Sequence, residues 1–154
     1  MALKGDRYEG MTDISFFMNE VAERGGVVVL NTVGSGAALD QAAAVVTQTS
    51  ATVAPSGAVP VGLLLNDVVN IDMTRQKINF HKDEMQLGGK VTILKHGWVV
   101  TNRIEGAPAA GSTAYVGNSG LISGTAANAF VASIGRFYSS ADEDGYAKVY
   151  VNLP

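Results

Sequence analysis

The sequence predicts a mainly β fold, an antiparallel β-sandwich or barrel, with an N-terminal arm and one short α-helix. Three observations predict it. Short runs rich in β-branched and aromatic residues recur at near-regular spacing after residue 26. Glycine-bearing turns separate them. The closing run alternates, with Ala147, Val149, Val151 and Leu153 on one side and Tyr146, Lys148, Tyr150 and Asn152 on the other. At 154 residues, the chain is one domain's worth, long enough for a real core.

Taken in order, residues 1–11 read as a polar arm that cannot build a core. Residues 12–24 read as the one helix. Thr12 is its N-cap, Asp13 suits the positive end of the helix dipole, and Gly25-Gly26 stops it. Ile14, Phe17, Met18 and Val21 then share a face. This divides the chain into a docking element, 1–25, and a β-rich domain, 26–154. Removing the docking element is expected to leave a folded domain that no longer docks.

Strands follow at 27–30, 44–49, 59–69 (with Pro60, Gly62 and the run Leu63-Leu64-Leu65) and 77–80. Residues 91–95 and 98–101 flank His96-Gly97, read as a hairpin turn. Residues 114–116 and 121–122 flank a second turn at 117–120. Residues 130–138 form a strand with a bulge at Gly135, and 146–153 the last strand. The Gly/Ala/Ser-rich segments 34–43 and 106–113 read as surface loops.

Charged residues make up 16% of the chain, against about 25% in a typical soluble domain. A charge-poor chain leaves an apolar surface, and such a surface implies a partner. The net charge is −3 and the basic residues are scattered singly, which argues against nucleic-acid binding. No run approaches the ~20 apolar residues of a membrane span. The polar start is not a signal peptide, so synthesis in the cytoplasm is expected.

Catalytic constellations are missing. There is no cysteine, and the two histidines, His81 and His96, stand in a charged loop and a tight turn, not beside a nucleophile. Fifteen positions apart, they make a poor zinc site. Asp142-Glu143-Asp144-Gly145 offers hard oxygen ligands, but an EF-hand's other ligands are absent, and an acidic turn with Gly145 at positive φ explains it. Gly34-Ser35-Gly36 lacks the third glycine of a dinucleotide loop, Leu39 standing in its place. No enzyme and no cofactor are expected.

The remaining signal is an ordered set of phrases: Val59-Pro60-Val61-Gly62-Leu63; Gly111 to Val116, reading GSTAYV; Gly120-Leu121-Ile122-Ser123; Ile134-Gly135-Arg136; and Asp144 to Val151, reading DGYAKVYV. In this order they resemble the decoration, or cement, proteins of tailed-bacteriophage capsids, over roughly residues 59–154 and more loosely 26–58. The resemblance implies a virion protein that binds the outside of an expanded icosahedral shell, bridges neighbouring major capsid subunits and acts as a dimer or trimer. Interface anchors are expected among the large side chains: Tyr8, Phe16, Phe17, Met18, Trp98, Tyr138 and Tyr150. The competing reading is a carbohydrate- or receptor-binding β-sandwich of a virion fibre, which needs Trp98 and Tyr115 on one face.

Overall fold

β-Branched and aromatic side chains favour extended backbone, and in the computed structural model strands dominate. The structure describes residues 3–30, 45–47, 54–67, 71–72, 77–78, 84–85 and 89–154. Among these the strands are β1 (Tyr8–Met18), β2 (Ala22–Glu23), β3 (Val27–Leu30), β4 (Val45–Thr47), β5 (Pro60–Asp67), β6 (Ile71–Asp72), β7 (Lys77–Ile78) and β8 (Glu84–Met85). They continue with β9 (Lys90–Thr101), β10 (Ile104–Glu105), β11 (Thr113–Val116), β12 (Ile122–Ser123), β13 (Ser133–Phe137) and β14 (Ala147–Asn152).

Five strands close on themselves. β1 pairs with β4, β4 with β3, β3 with β5, β5 with β9, and β9 returns to β1. Each contributes to one buried cluster that includes Met18, Val46, Val28, Leu64 and Ile93, so this cluster fills the ring. From β9 the sheet continues open through β14, β13, β11, β12 and β10. Its inner face, with Val99, Val149, Val151, Ile134 and Phe137, packs a second core against Val27, Val29, Leu63 and Leu65 on the outside of the ring. The runs Val27-Val28-Val29 and Leu63-Leu64-Leu65 do not alternate because their strands are buried on both faces.

Two expectations are corrected. Residues 12–24 are not a helix: 8–18 form β1, and 22–23 form β2, paired with β8. β1 runs antiparallel to β9 from Tyr8↔Trp98 to Phe17↔Lys90, with register shifts between Glu9 and Met11, Met11 and Thr12, and Asp13 and Phe16. Each shift breaks the two-residue period, leaving apolar spacings that mimic a helical face. The backbone groups of one edge of β1 pair with β9, and Ile14, Phe16 and Phe17 suit a strand. The boundary drawn at residue 25 therefore falls between strands of a single paired system, and Leu3 lies buried in the second core.

His96-Gly97 is not a hairpin turn either. β9 runs unbroken through it. Leu94 and Val99, five residues apart, belong to the same core. Strict alternation would put them on opposite faces, so one break is required between them. Lys95 provides it: Met11 and Thr12 of β1 face His96 and Leu94, leaving Lys95 as the extra residue. Gly97, at φ 147°, keeps its place opposite Val151 and admits the neighbouring strand, since a Cβ there would meet the Tyr8 carbonyl oxygen at 1.9 Å.

The other expected strands form where the residues are described, except that 130–132 precede β13 and its extra residue is Ile134, opposite Ala114/Tyr115, rather than Gly135. β11 and β12 pair across 117–120, where Asn118–Gly120 form a short 3-10 turn. In β14, Ala147, Val149 and Val151 are buried. The acidic turn is built as expected: the Asp142 carboxylate accepts the backbone N–H groups of Asp144 and Tyr146, and Gly145 sits at φ 82°. Segment 34–43 and His81 lie outside the described residues.

Candidate docking face

Among the described residues, an ordered set of aromatic side chains lies on the outer face shared by β13, β14, β9 and β1. Residues directly opposite each other across paired strands share a face. The pairs Arg136↔Tyr150, Tyr150↔Trp98 and Trp98↔Tyr8 therefore form one row across β13, β14, β9 and β1. On one side of it runs a second row. The Tyr138 N–H donates to the Lys148 carbonyl, Lys148 pairs with Val100, and the Lys4 N–H donates to the Val100 carbonyl. On the other side, Asn152 pairs with His96 and His96 with Met11.

Side-chain contacts tie the rows together. Tyr138 and Tyr150 stack with centroids 5.4 Å apart and planes 13° off parallel. The Tyr150 hydroxyl lies 2.7 Å from His96 Nε2, and the two rings meet edge to face. The Lys148 ammonium stands 3.7 Å from the Trp98 ring centroid, and that of Lys4 stands 4.4 Å from Tyr146. His96 is thus half-buried and hydrogen-bonded within a strand, unlike the solvated turn residue expected.

The sequence-derived anchors divide. Tyr8, Trp98, Tyr138 and Tyr150 come together here, with Tyr8 and Tyr138 more than half exposed. Met18 is 1% exposed and belongs to the core of the ring. Phe16 packs against that core, and Phe17 lies under the Lys90 ammonium at 5.7 Å. Tyr115 packs against the second core and makes no platform with Trp98.

Sequence reasoning missed Arg136, Met11 and His96 as members of this face. The alternation of 146–153 marked Lys148 beside Tyr150, and the same argument applied to residues 130–138 would have put Arg136 out of phase with buried Ile134 only if the bulge opposite Ala114/Tyr115 had been known. Phe130, 76% exposed, was also missed. It stands on a loop fixed by the Asn128 side chain, which accepts its N–H.

Around the face, Asp13 pairs with Lys95 at 3.4 Å. Burial works to raise the Asp13 pKa, but hydrogen bonds from the Ser15 hydroxyl and N–H, with the Lys95 charge, outweigh it and hold the carboxyl below its usual range. Among the described residues, no group of acidic or histidine side chains is arranged to hold a metal ion.

A family model described as structural cement protein (E217 gp24/Pam3 gp6), a phage cement family, matches residues 10–152. No curated protein matches the chain.

Proposed function

The chain belongs to the phage structural cement protein family, and from that premise we propose that it binds the outer surface of the icosahedral capsid and bridges neighbouring major capsid subunits. Family membership makes it a structural protein of the phage virion with a capsid-stabilising role. The outward placement, the bridging and a dimeric or trimeric state belong to this proposal.

One observation carries it. The row Arg136–Tyr150–Trp98–Tyr8 lies on a sheet face that no other described element covers. Tyr, Trp and Arg are the residues that dominate binding energy in protein interfaces. Four strand positions by three rows cover roughly 20 Å by 20 Å, about 400 Å². A stable interface takes about 800 Å² per partner. A single copy is therefore expected to bind weakly, and linked copies on a repeating shell gain by avidity. The N-terminal segment takes part through Tyr8 and Met11.

The test uses sealed, DNA-filled capsids that lack the protein, so that only the exterior is accessible. Purified protein is added, bound copies are counted after sedimentation, and shell disruption is followed on heating. Saturable binding with a raised disruption temperature is expected. Absence of binding to filled capsids, with binding only to open or unassembled shell protein, would defeat the outward placement.

A further inference from the structure

Resting on that reading, we propose that the docking face recognises a carboxylate-bearing surface of the shell protein, with Arg136 and Lys148 as the charged contacts. The chain as a whole is acidic, with 14 Asp and Glu against 11 Lys and Arg. The face reverses that sign. Its three rows hold Arg136, Lys148 and Lys4, and no acidic residue.

Other cations in the neighbourhood are already answered from within. Lys4 lies 3.8 Å from Asp142, Lys95 3.4 Å from Asp13, and Arg7 2.6 Å from Glu9. Among the described residues, neither Arg136 nor Lys148 has a carboxylate partner. Arg136 is exposed beside a shallow groove lined by Ser133, Gly135, Tyr138, Tyr150 and Asn152. A guanidinium there can take a carboxylate bidentately, with the Tyr150 and Tyr138 rings as walls. Lys148 is held in place over Trp98, which fixes the ammonium without neutralising it.

The overall charge of −3 does not oppose this. Charges farther away than a Debye length of about 10 Å are screened, and the contact is governed by those on the face. An uncompensated cation flanked by aromatic rings in a charge-poor protein fits an acidic protein segment by complementarity.

The experiment uses the full chain and filled capsids. Arg136→Glu, Arg136→Lys and Lys148→Gln are compared with the parent at rising salt, with the thermal midpoint as a control for folding. Capsids whose surface carboxylates have been amidated with carbodiimide and glycinamide form the second arm. Expected are a loss of at least tenfold in affinity for Arg136→Glu, partial retention for Arg136→Lys, weaker parent binding at high salt, and loss on amidated capsids. Parent binding that is indifferent to Arg136→Glu, salt and amidation overturns the inference while leaving the cement reading intact. Failure of the parent to bind any capsid overturns both. A change in the protein's own solution mass with Arg136→Glu, at unaltered shell binding, assigns the face to a second copy and overturns it. Arg136-dependent binding to a DNA duplex, at unaltered shell binding, also overturns it.

Discussion

The ammonium of Lys148 lies 3.7 Å from the centroid of Trp98 on the neighbouring strand. The contact sets the ammonium over the single tryptophan, and both residues are half-buried. The stack of Tyr138 on Tyr150 and the hydrogen bond between Tyr150 and His96 complete a pre-ordered face. Side chains fixed before binding lose little rotamer freedom on contact, a loss otherwise worth about 0.5–1.5 kcal/mol each.

Tyr138→Ala should separate folding from docking. The ring is 52% exposed and lies at the rim of the sheet. Stability is expected to change by no more than about 1 kcal/mol, and shell affinity to fall by roughly tenfold or more. Urea unfolding and capsid sedimentation measure the two; equal loss in both would mark Tyr138 as structural.

Gly97→Ala should be among the most damaging single changes. The added carbon would sit 1.9 Å from the Tyr8 carbonyl oxygen, in a backbone conformation that side chains rarely adopt. A cost of roughly 2–4 kcal/mol is expected. Gly145→Ala is the control, since Gly145 also has positive φ but nothing lies within 4 Å. It should cost only about 1 kcal/mol. Comparable midpoints for the two variants would contradict the proposed crowding at Gly97.

Asp13 links stability to pH. Its carboxyl is held below its ordinary value in the folded chain. The stabilisation it provides is therefore fully present above the unfolded value of about 4 and is lost as pH falls through the folded value. Asp13→Asn should be less stable than the parent at neutral pH, with the gap narrowing below about pH 4. Thermal midpoints at pH 7, 4 and 2.5 measure this, and a gap that widens in acid would refute it.

Removal of residues 1–25 is now expected to abolish cooperative folding. It would strip β1 from the 90–98 edge of β9, open the ring and delete buried Leu3, Met18 and Ala22. Losing a strand and three core side chains exceeds the total stability of many domains. Circular dichroism and a urea titration of 26–154 provide the check. A cooperatively folding fragment would support the division at residue 25.

What was legible in the sequence follows from how local each signal is. The last strand, the 117–120 turn and the Asp142–Gly145 turn are each specified within ten residues, and each forms as expected. β1 was illegible because three register shifts scramble its alternation, and only the partner strand some eighty residues away gives it meaning. Gly97 was visible, but a glycine that admits a neighbouring strand and one at a turn look alike along the chain. The row Arg136–Tyr150–Trp98–Tyr8 is the least local feature. Tyr8 and Arg136 become members of one line only through the register of four strands.

Ring closure has a consequence for a protein that must exist free before it finds a shell. A strand edge left unpaired is a template for adding another chain, and apolar, charge-poor sequences are those most prone to it. Here β1 returns to β9, and residues 3–4 cover the remaining stretch of β9 through the Leu3↔Thr101 bridge and the Lys4–Val100 hydrogen bond. The open sheet ends in β10, only two residues long. Along β9 no open edge is left for a second chain to pair with, while the broad face stays free for assembly.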